Sequence, residues 1–171
     1  MHQTAAYRSS MATRYTEACT VTKETPAALA IVCSEFNGEI TSRMLDEAMR
    51  ECATAGAAVV AVCRVPGAFD MPLFIDELLS RRDVDAVVTL GAIVKGDTDH
   101  DDVIASVLST AISELSVKHG KPVSLGVSGP GMTWEQANTR AEEYARRAVK
   151  AALSMVESLR SIRKKDHRDG R

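Results

Sequence analysis

Aromatic side chains are scarce in this chain. Three Phe, three Tyr and one Trp make 4% of its 171 residues, so the core has to be built from Ala, Val, Leu, Ile and Met. Paired cysteines are missing too. Cys19, Cys33, Cys52 and Cys63 are widely spaced, with no C-x-x-C among them. Cys33 and Cys63 sit inside apolar runs, where a reduced thiol behaves as a small hydrophobe. A reduced, cytoplasmic protein is the simplest account. No run approaches the ~20 apolar residues of a membrane span, so no membrane partner is expected. Residues 1–25 lack the apolar centre of a secretion signal and read as a flexible arm. Neither G-x-G-x-x-G nor a P-loop occurs, which argues against nucleotide binding. The formal net charge of -2 gives no overall sign of a nucleic-acid partner.

What is present is aliphatic matter in a regular rhythm. Hydrophobic residues make 45% of the chain, enough for one domain with a full core. From residue 27 a short apolar run, "ALAIVCSEF", reads as a buried strand. Ile40, Met44, Ala48 and Cys52 then recur at helical spacing, and Gly56 can end that helix. "AAVVAVCRV" reads as a second strand. "FDMPLFIDELLSRR" reads as a helix that tolerates Pro72 in its first turn. "VDAVVTLGAIV" reads as a third strand. A helix follows, with Val103, Ile104, Val107, Leu108, Ala111, Ile112 and Leu115 on one face, closed by Gly120 and Pro122. "PVSLGVS" reads as a fourth strand, and a long helix runs from Thr133. Four β-α units imply a small parallel sheet between two helical layers, a flavodoxin-like three-layer α/β fold. The domain is expected over 26–160. Residues 161–171 are expected to form a basic tail, read either as an anion-binding segment or as a solvated helix end. A four-stranded sheet has open edges, which favours a homo-oligomer.

Ligands of open α/β sheets bind at the carboxyl ends of the strands. Here those ends are "SEFNGEI", "VPGAFDMP", "GAIVKGDTDH" and "GVSGPGMTWEQ", and they hold Phe36, Asn37, Phe69, His100 and Trp134. Phe36 and Phe69 suit either packing or ring stacking. Asn37 suits a cap or turn. Gly126, Gly129 and Gly131 could cradle an anion with backbone N–H groups. Four aspartates, Asp97, Asp99, Asp101 and Asp102, surround His100. A calcium loop is excluded, because its sixth and twelfth positions would be Asp102 and Leu108. Zinc is disfavoured, because His100 has no second His or Cys at ligand spacing. A helix start fits, with Thr98 or Asp99 as cap and Asp101 and Asp102 as first-turn acids. A histidine at that position is either a surface residue or a general acid/base.

Taken together, "SEFNGEIT", "VPGAFDMPL", "DAVVTLGAIVKGDTDHDDV", "KPVSLGVSGPGMTWEQANTRA" and "RRAVKAA" resemble the lumazine synthase family, in that family's order. The archaeal branch is the nearest likeness, through "EFN", "FDMP" and "SGPGMT". The resemblance implies condensation of 5-amino-6-(D-ribitylamino)uracil with 3,4-dihydroxy-2-butanone 4-phosphate, with no metal and no organic cofactor. It implies that Phe36 stacks on the pyrimidine, and that Ala68, Phe69 and Asp70 hold the ribityl chain and uracil. Ala92, Ile93 and Val94 would run beside the heterocycle. Asp97 and Thr98 would face the phosphate, and His100 would transfer protons. Leu125 and Arg140 would come from a neighbouring subunit, in a pentamer or an assembly of pentamers, with Arg140 on the phosphate.

This sequence departs from the family pattern in places. Asp70 stands where Glu is usual in bacterial members, and Leu125 where Phe is frequent. Asp97 adds negative charge near the phosphate. A bacterial lysine near that phosphate has Arg146 or Arg147 as its nearest counterpart. Two other readings use the same fold: an enzyme acting on a different aminopyrimidine, and a non-catalytic shell or flavin- or pterin-like binding protein.

Overall fold

The computed structural model describes residues 26–169, with side chains described to Lys164. The arm expected over 1–25, with Cys19, lies outside the described residues.

Successive side chains of a strand point to opposite faces. In β1 (Ala28–Ser34), Leu29, Ile31 and Cys33 face one layer while Ala30 and Val32 face the other. In β3 (Ala86–Val94) the same split puts Ala86, Val88, Leu90 and Ala92 against Val87 and Ile93. Both strands are buried on both sides, as their unbroken apolar runs require. They are the centre of a parallel sheet flanked by β2 (Ala58–Val65) and β4 (Val123–Met132), in the order β2-β1-β3-β4. The outer strands are partly exposed, as edges are.

Two helices cover each face. The first layer holds α1 (Gly38–Thr54), whose Ile40, Met44, Ala48 and Cys52 are buried at the expected spacing. It also holds α4 (Trp134–Asp169), which runs unbroken past residue 160. α4 lays Ala137, Ala141, Ala145, Ala148 and Ala152 on the sheet. These small side chains let the helix come close, and Gly126 of β4 is the matching feature. A Cβ there would lie 2.8 Å from Ala148 Cβ and 2.3 Å from the Thr89 carbonyl oxygen. α1 and α4 are also joined by ion pairs Arg43–Glu142, Glu47–Arg146 and Glu51–Lys150. The second layer holds α2 (Met71–Ser80), with Pro72 in its first turn, and α3 (His100–His119). Asp76 of α2 accepts hydrogen bonds from Lys118 and pairs with His119 at the end of α3.

Two expectations change in the structure. β4 continues to Met132 rather than ending at 128, because Val94 still pairs with Met132 beyond an irregularity at 129–131. The apolar set on α3 divides in two. Leu108 and Ile112 are buried, but Val103 and Val107 are exposed. Seven apolar positions cover too wide an arc for one contact, and Val103 and Val107 lie one residue, about 100°, off the buried stripe. Cys33 and Cys52 are buried thiols. Burial pushes Cys33 up, and burial together with Glu51 pushes Cys52 up to about 11, so neither is a ready nucleophile. No described helix is long and apolar enough to cross a membrane.

Gly126→Ala is expected to lower stability by about 1–3 kcal/mol through overpacking between Thr89 and Ala148. The check is the midpoint of denaturant unfolding. An unchanged midpoint would mean that α4 is not held as close to the sheet as the structure has it.

Candidate active site

The direction in which connections leave the sheet reverses between β1 and β3, and such a switch point leaves a crevice at the strand ends. β1 leads there into Glu35 and Phe36. The Glu35 N–H donates to the Val65 carbonyl at 2.7 Å and the Phe36 N–H to the Pro66 carbonyl at 3.0 Å, which binds the ends of β1 and β2 together. Phe36 is 71% exposed. Asn37 follows in the left-handed region, at φ 55° and ψ 46°. It occupies the cap position of α1, yet its side chain does not cap. Its Nδ2 donates instead to the Ala92 carbonyl at 2.8 Å, across the switch point. A non-glycine residue held at positive φ is unusual, and the bond to Ala92 accounts for it here.

After β2 the chain makes a short 3-10 turn, Ala68–Asp70, in which Asp70 Oδ2 accepts the Gly67 N–H at 2.9 Å. Ala68 is nearly buried and Phe69 is 59% exposed. The turn packs against β3 and α3. β3 contributes buried Ala92 and Ile93 and half-buried Val94. Residues 95–99 are exposed and lead to His100, also exposed, the first residue of α3. Asp99 holds the cap position without a side-chain capping bond.

Phe36, Ala68, Phe69, Asp70, Ala92, Ile93, Val94, Asp97, Thr98 and His100 therefore share one edge of the sheet. Leu125 adjoins this set at Ile93, in a shared groove, and Arg140 stands in the opposite helical layer. Leu125 pairs with Thr89, five residues before Val94, or roughly 16 Å back from the strand end at 3.3 Å per residue. It lines a groove of about 430 Å³ between α3 and β4, with Ile93, Ala105, Leu108, Val127 and Pro130. Arg140 is exposed on α4, in the opposite layer. The two residues thus straddle the open β4 edge.

Two of the three glycines that could have cradled an anion are engaged otherwise. Gly126 is packed against α4, and the Gly131 N–H is taken by Asp101 Oδ2 at 2.9 Å. The aspartates do not act alike either. Asp97, Asp99 and Asp102 are exposed, whereas Asp101 is buried. Among the described residues no three His, Cys, Asp or Glu side chains converge into a metal-ligand set. Sequence reasoning missed the cross-sheet bond of Asn37 and the inward turn of Asp101. Only Asn37 left a signal, as a turn-forming residue between a strand and a helix.

The sequence profile of 6,7-dimethyl-8-ribityllumazine synthase matches residues 26–160. The chain belongs to the lumazine synthase family. The lumazine synthase of Metallosphaera sedula is 52% identical over 134 residues, covering 78% of this chain and 89% of that protein. That of Methanopyrus kandleri is also 52% identical over 134 residues, covering 78% and 94%. That of Sulfolobus acidocaldarius is 46% identical over 138 residues, covering 81% and 87%. The likeness to archaeal lumazine synthases found in the strand-end motifs thus extends over most of the chain.

Asn37→Ala removes the bond to Ala92 but keeps a side chain at positive φ. It is expected to cost about 1–3 kcal/mol, and Asn37→Gly should recover part of that by relieving the backbone. Denaturant unfolding of both variants measures the difference. Wild-type stability in Asn37→Ala would show that the cross-sheet bond is not holding the crevice.

Proposed function

We propose that this chain catalyses the lumazine synthase reaction, in riboflavin biosynthesis, with a site completed by a second copy. Membership of the family and the gathering of the strand-end residues at the β1–β3 switch point support this reading. The C5 amine of 5-amino-6-(D-ribitylamino)uracil attacks the ketone of the butanone phosphate, and water leaves as the C=N bond forms. Loss of a C–H proton drives out phosphate, and the resulting enol takes up a proton to become a new ketone. The ribityl-bearing nitrogen closes the ring onto that ketone and a second water leaves.

Each step moves a proton, and the residues divide the work. Phe36 offers an exposed face to the pyrimidine. Ala68, Phe69 and Asp70 hold the ribityl chain and uracil, and the backbone of Ala92, Ile93 and Val94 runs beside the heterocycle. Asp97 and Thr98 line the exposed turn before α3, whose N-terminus favours an anion. His100 is the proton-transfer group, since an imidazole can accept a proton at one ring nitrogen and donate one from the other. Leu125 and Arg140 act on the neighbour's site, and Arg140 pairs with phosphate through its planar fork.

The second cation on the phosphate is Arg147 rather than Arg146. The Arg146 Nε is bound to Glu47 of its own α1 at 3.0 Å. Arg147 pairs only loosely, at 3.6 Å, with the exposed Glu143 of its own helix, and its side chain is 74% exposed; it lies seven residues from Arg140 and so on the same helical face.

Association follows from the surfaces left over. The open β4 edge, the groove at Leu125 and the exposed Val103–Val107 stripe of α3 are apolar surface on one side of the molecule. Phe36, Phe69 and Leu73 are exposed at the other end of the sheet. A head-to-tail contact between unlike patches makes a ring when its rotation closes, and a pentamer or an assembly of pentamers is such a ring. Buried, unpaired thiols suit the cytoplasm.

Mixing the protein with both substrates and following the lumazine by absorbance tests the reading. Product no faster than the uncatalysed background would sink it. His100→Ala is expected to lower kcat by about 10²-fold or more without changing particle size. Arg140→Ala and Arg147→Ala should raise KM for the butanone phosphate, while Arg146→Ala should not. An unchanged KM in Arg140→Ala would remove its phosphate role. Light scattering fixes the size of the assembly.

A further inference from the structure

We propose that Asp101 is a positioning residue that sets the placement of His100 and of the turn before it. This rests on the reading of His100 as the proton-transfer group. A first-turn acid ordinarily stays in water and acts on the helix dipole from outside. Asp102 is exposed in that way. Asp101 is not: only 5% of its surface is exposed. Its Oδ2 accepts the Gly131 N–H at 2.9 Å. Its Oδ1 is buried and has no hydrogen-bond partner among the described residues.

The partner makes the contact informative. Gly131 lies in the last stretch of β4, at φ 74°. The next residue, Met132, accepts the Lys95 N–H through its carbonyl oxygen at 2.8 Å. The end of β4 therefore grips the site-bearing segment at two points, Lys95 before the turn and Asp101 after it. Gly96, Asp97, Thr98, Asp99 and His100, all exposed, are strung between these anchors. Without the second anchor the turn is held from one side only. The start of α3, with His100 as its first residue, is then free to shift relative to β3. The carboxylate is tolerated in this buried place because it sits at the positive end of α3. What the tie itself requires is an acceptor oxygen, which an amide also supplies.

Kinetics of the full-length, assembled protein test this. A displacement of about 1 Å in a reacting group can cost about 100-fold in rate. Asp101→Ala is therefore expected to lower kcat by about 10- to 100-fold, with KM for the pyrimidine within about twofold, because Phe36 and the 68–70 turn have their own ties. Asp101→Asn should stay within about threefold of the wild type, since its Oδ1 can still take the Gly131 N–H. In a His100→Ala background, Asp101→Ala should add less than about twofold, because it acts through the group already removed. Wild-type kcat in Asp101→Ala would overturn the proposal. So would Asp101→Asn as slow as Asp101→Ala, or a full additional loss in the double variant. If Asp101→Ala does not assemble, Asp101→Asn decides: turnover near the wild type upholds the tie and a loss of about tenfold ends it. Full kcat in His100→Ala would remove the proton-transfer role of His100 instead, and the Ala and Asn variants of Asp101 would still decide whether the tie places the turn.

Discussion

Parallel pairing of β1 with β3, from Leu29 opposite Ala86 to Cys33 opposite Leu90, sets the terms for everything else in this fold. Parallel strands cannot be joined by a hairpin, so each connection has to cross a face of the sheet as a helix. Those crossings bury both central strands and bring every strand end to one edge. The reversal of direction between β1 and β3 opens the crevice there. Phe36, the 68–70 turn, residues 92–94 and His100 meet at that edge because of the pairing, although they are spread over 65 positions, from 36 to 100.

Once the edge exists, a few polar ties keep it in shape. Asn37 reaches across the switch point to Ala92, Asp70 turns back to Gly67, and Asp101 reaches β4 at Gly131. Asn37 and Asp101 each join a side chain to a backbone group of another segment, and Asp70 closes its own turn. Buried backbone groups must be matched, and here the matching also fixes the segments that carry the candidate site residues. Close packing works alongside these ties. The alanine face of α4 and the missing side chain at Gly126 let that helix sit down on the sheet, which directs the layer carrying Arg140 and Arg147.

Much of this was legible in the chain. Continuous apolar strands alternating with four-residue helical spacing lead to the three-layer fold, because burial on both faces and burial on one face leave different periods. The strand-end rule then leads to the edge where Phe36, the 68–70 turn and His100 stand, and the motifs there to the right family. Other features left no local trace. Asp101 and Asp102 are chemically the same side chain, adjacent in sequence, yet one is buried and the other solvated. Helical geometry turns neighbours about 100° apart, and only the position of β4 decides which of them finds a donor. The exposed Val103–Val107 stripe has the same cause, since the sequence shows seven apolar positions and not which of them the sheet will cover.

By itself the sequence determined the order of elements, the layer architecture, the family and the set of residues at the strand ends. The elements and layers depend on periodicity and composition, and the family on short motifs in a fixed order; all of these are local features of the chain. The tertiary structure alone decided which partner each polar residue takes: Asn37 with Ala92, Asp101 with Gly131, Arg146 with Glu47. It also set Leu125 and Arg140 in opposite layers on either side of the β4 edge. Hydrogen bonds and ion pairs act over a few ångströms between groups distant in the chain, so they become definite only when the sheet has placed those groups side by side.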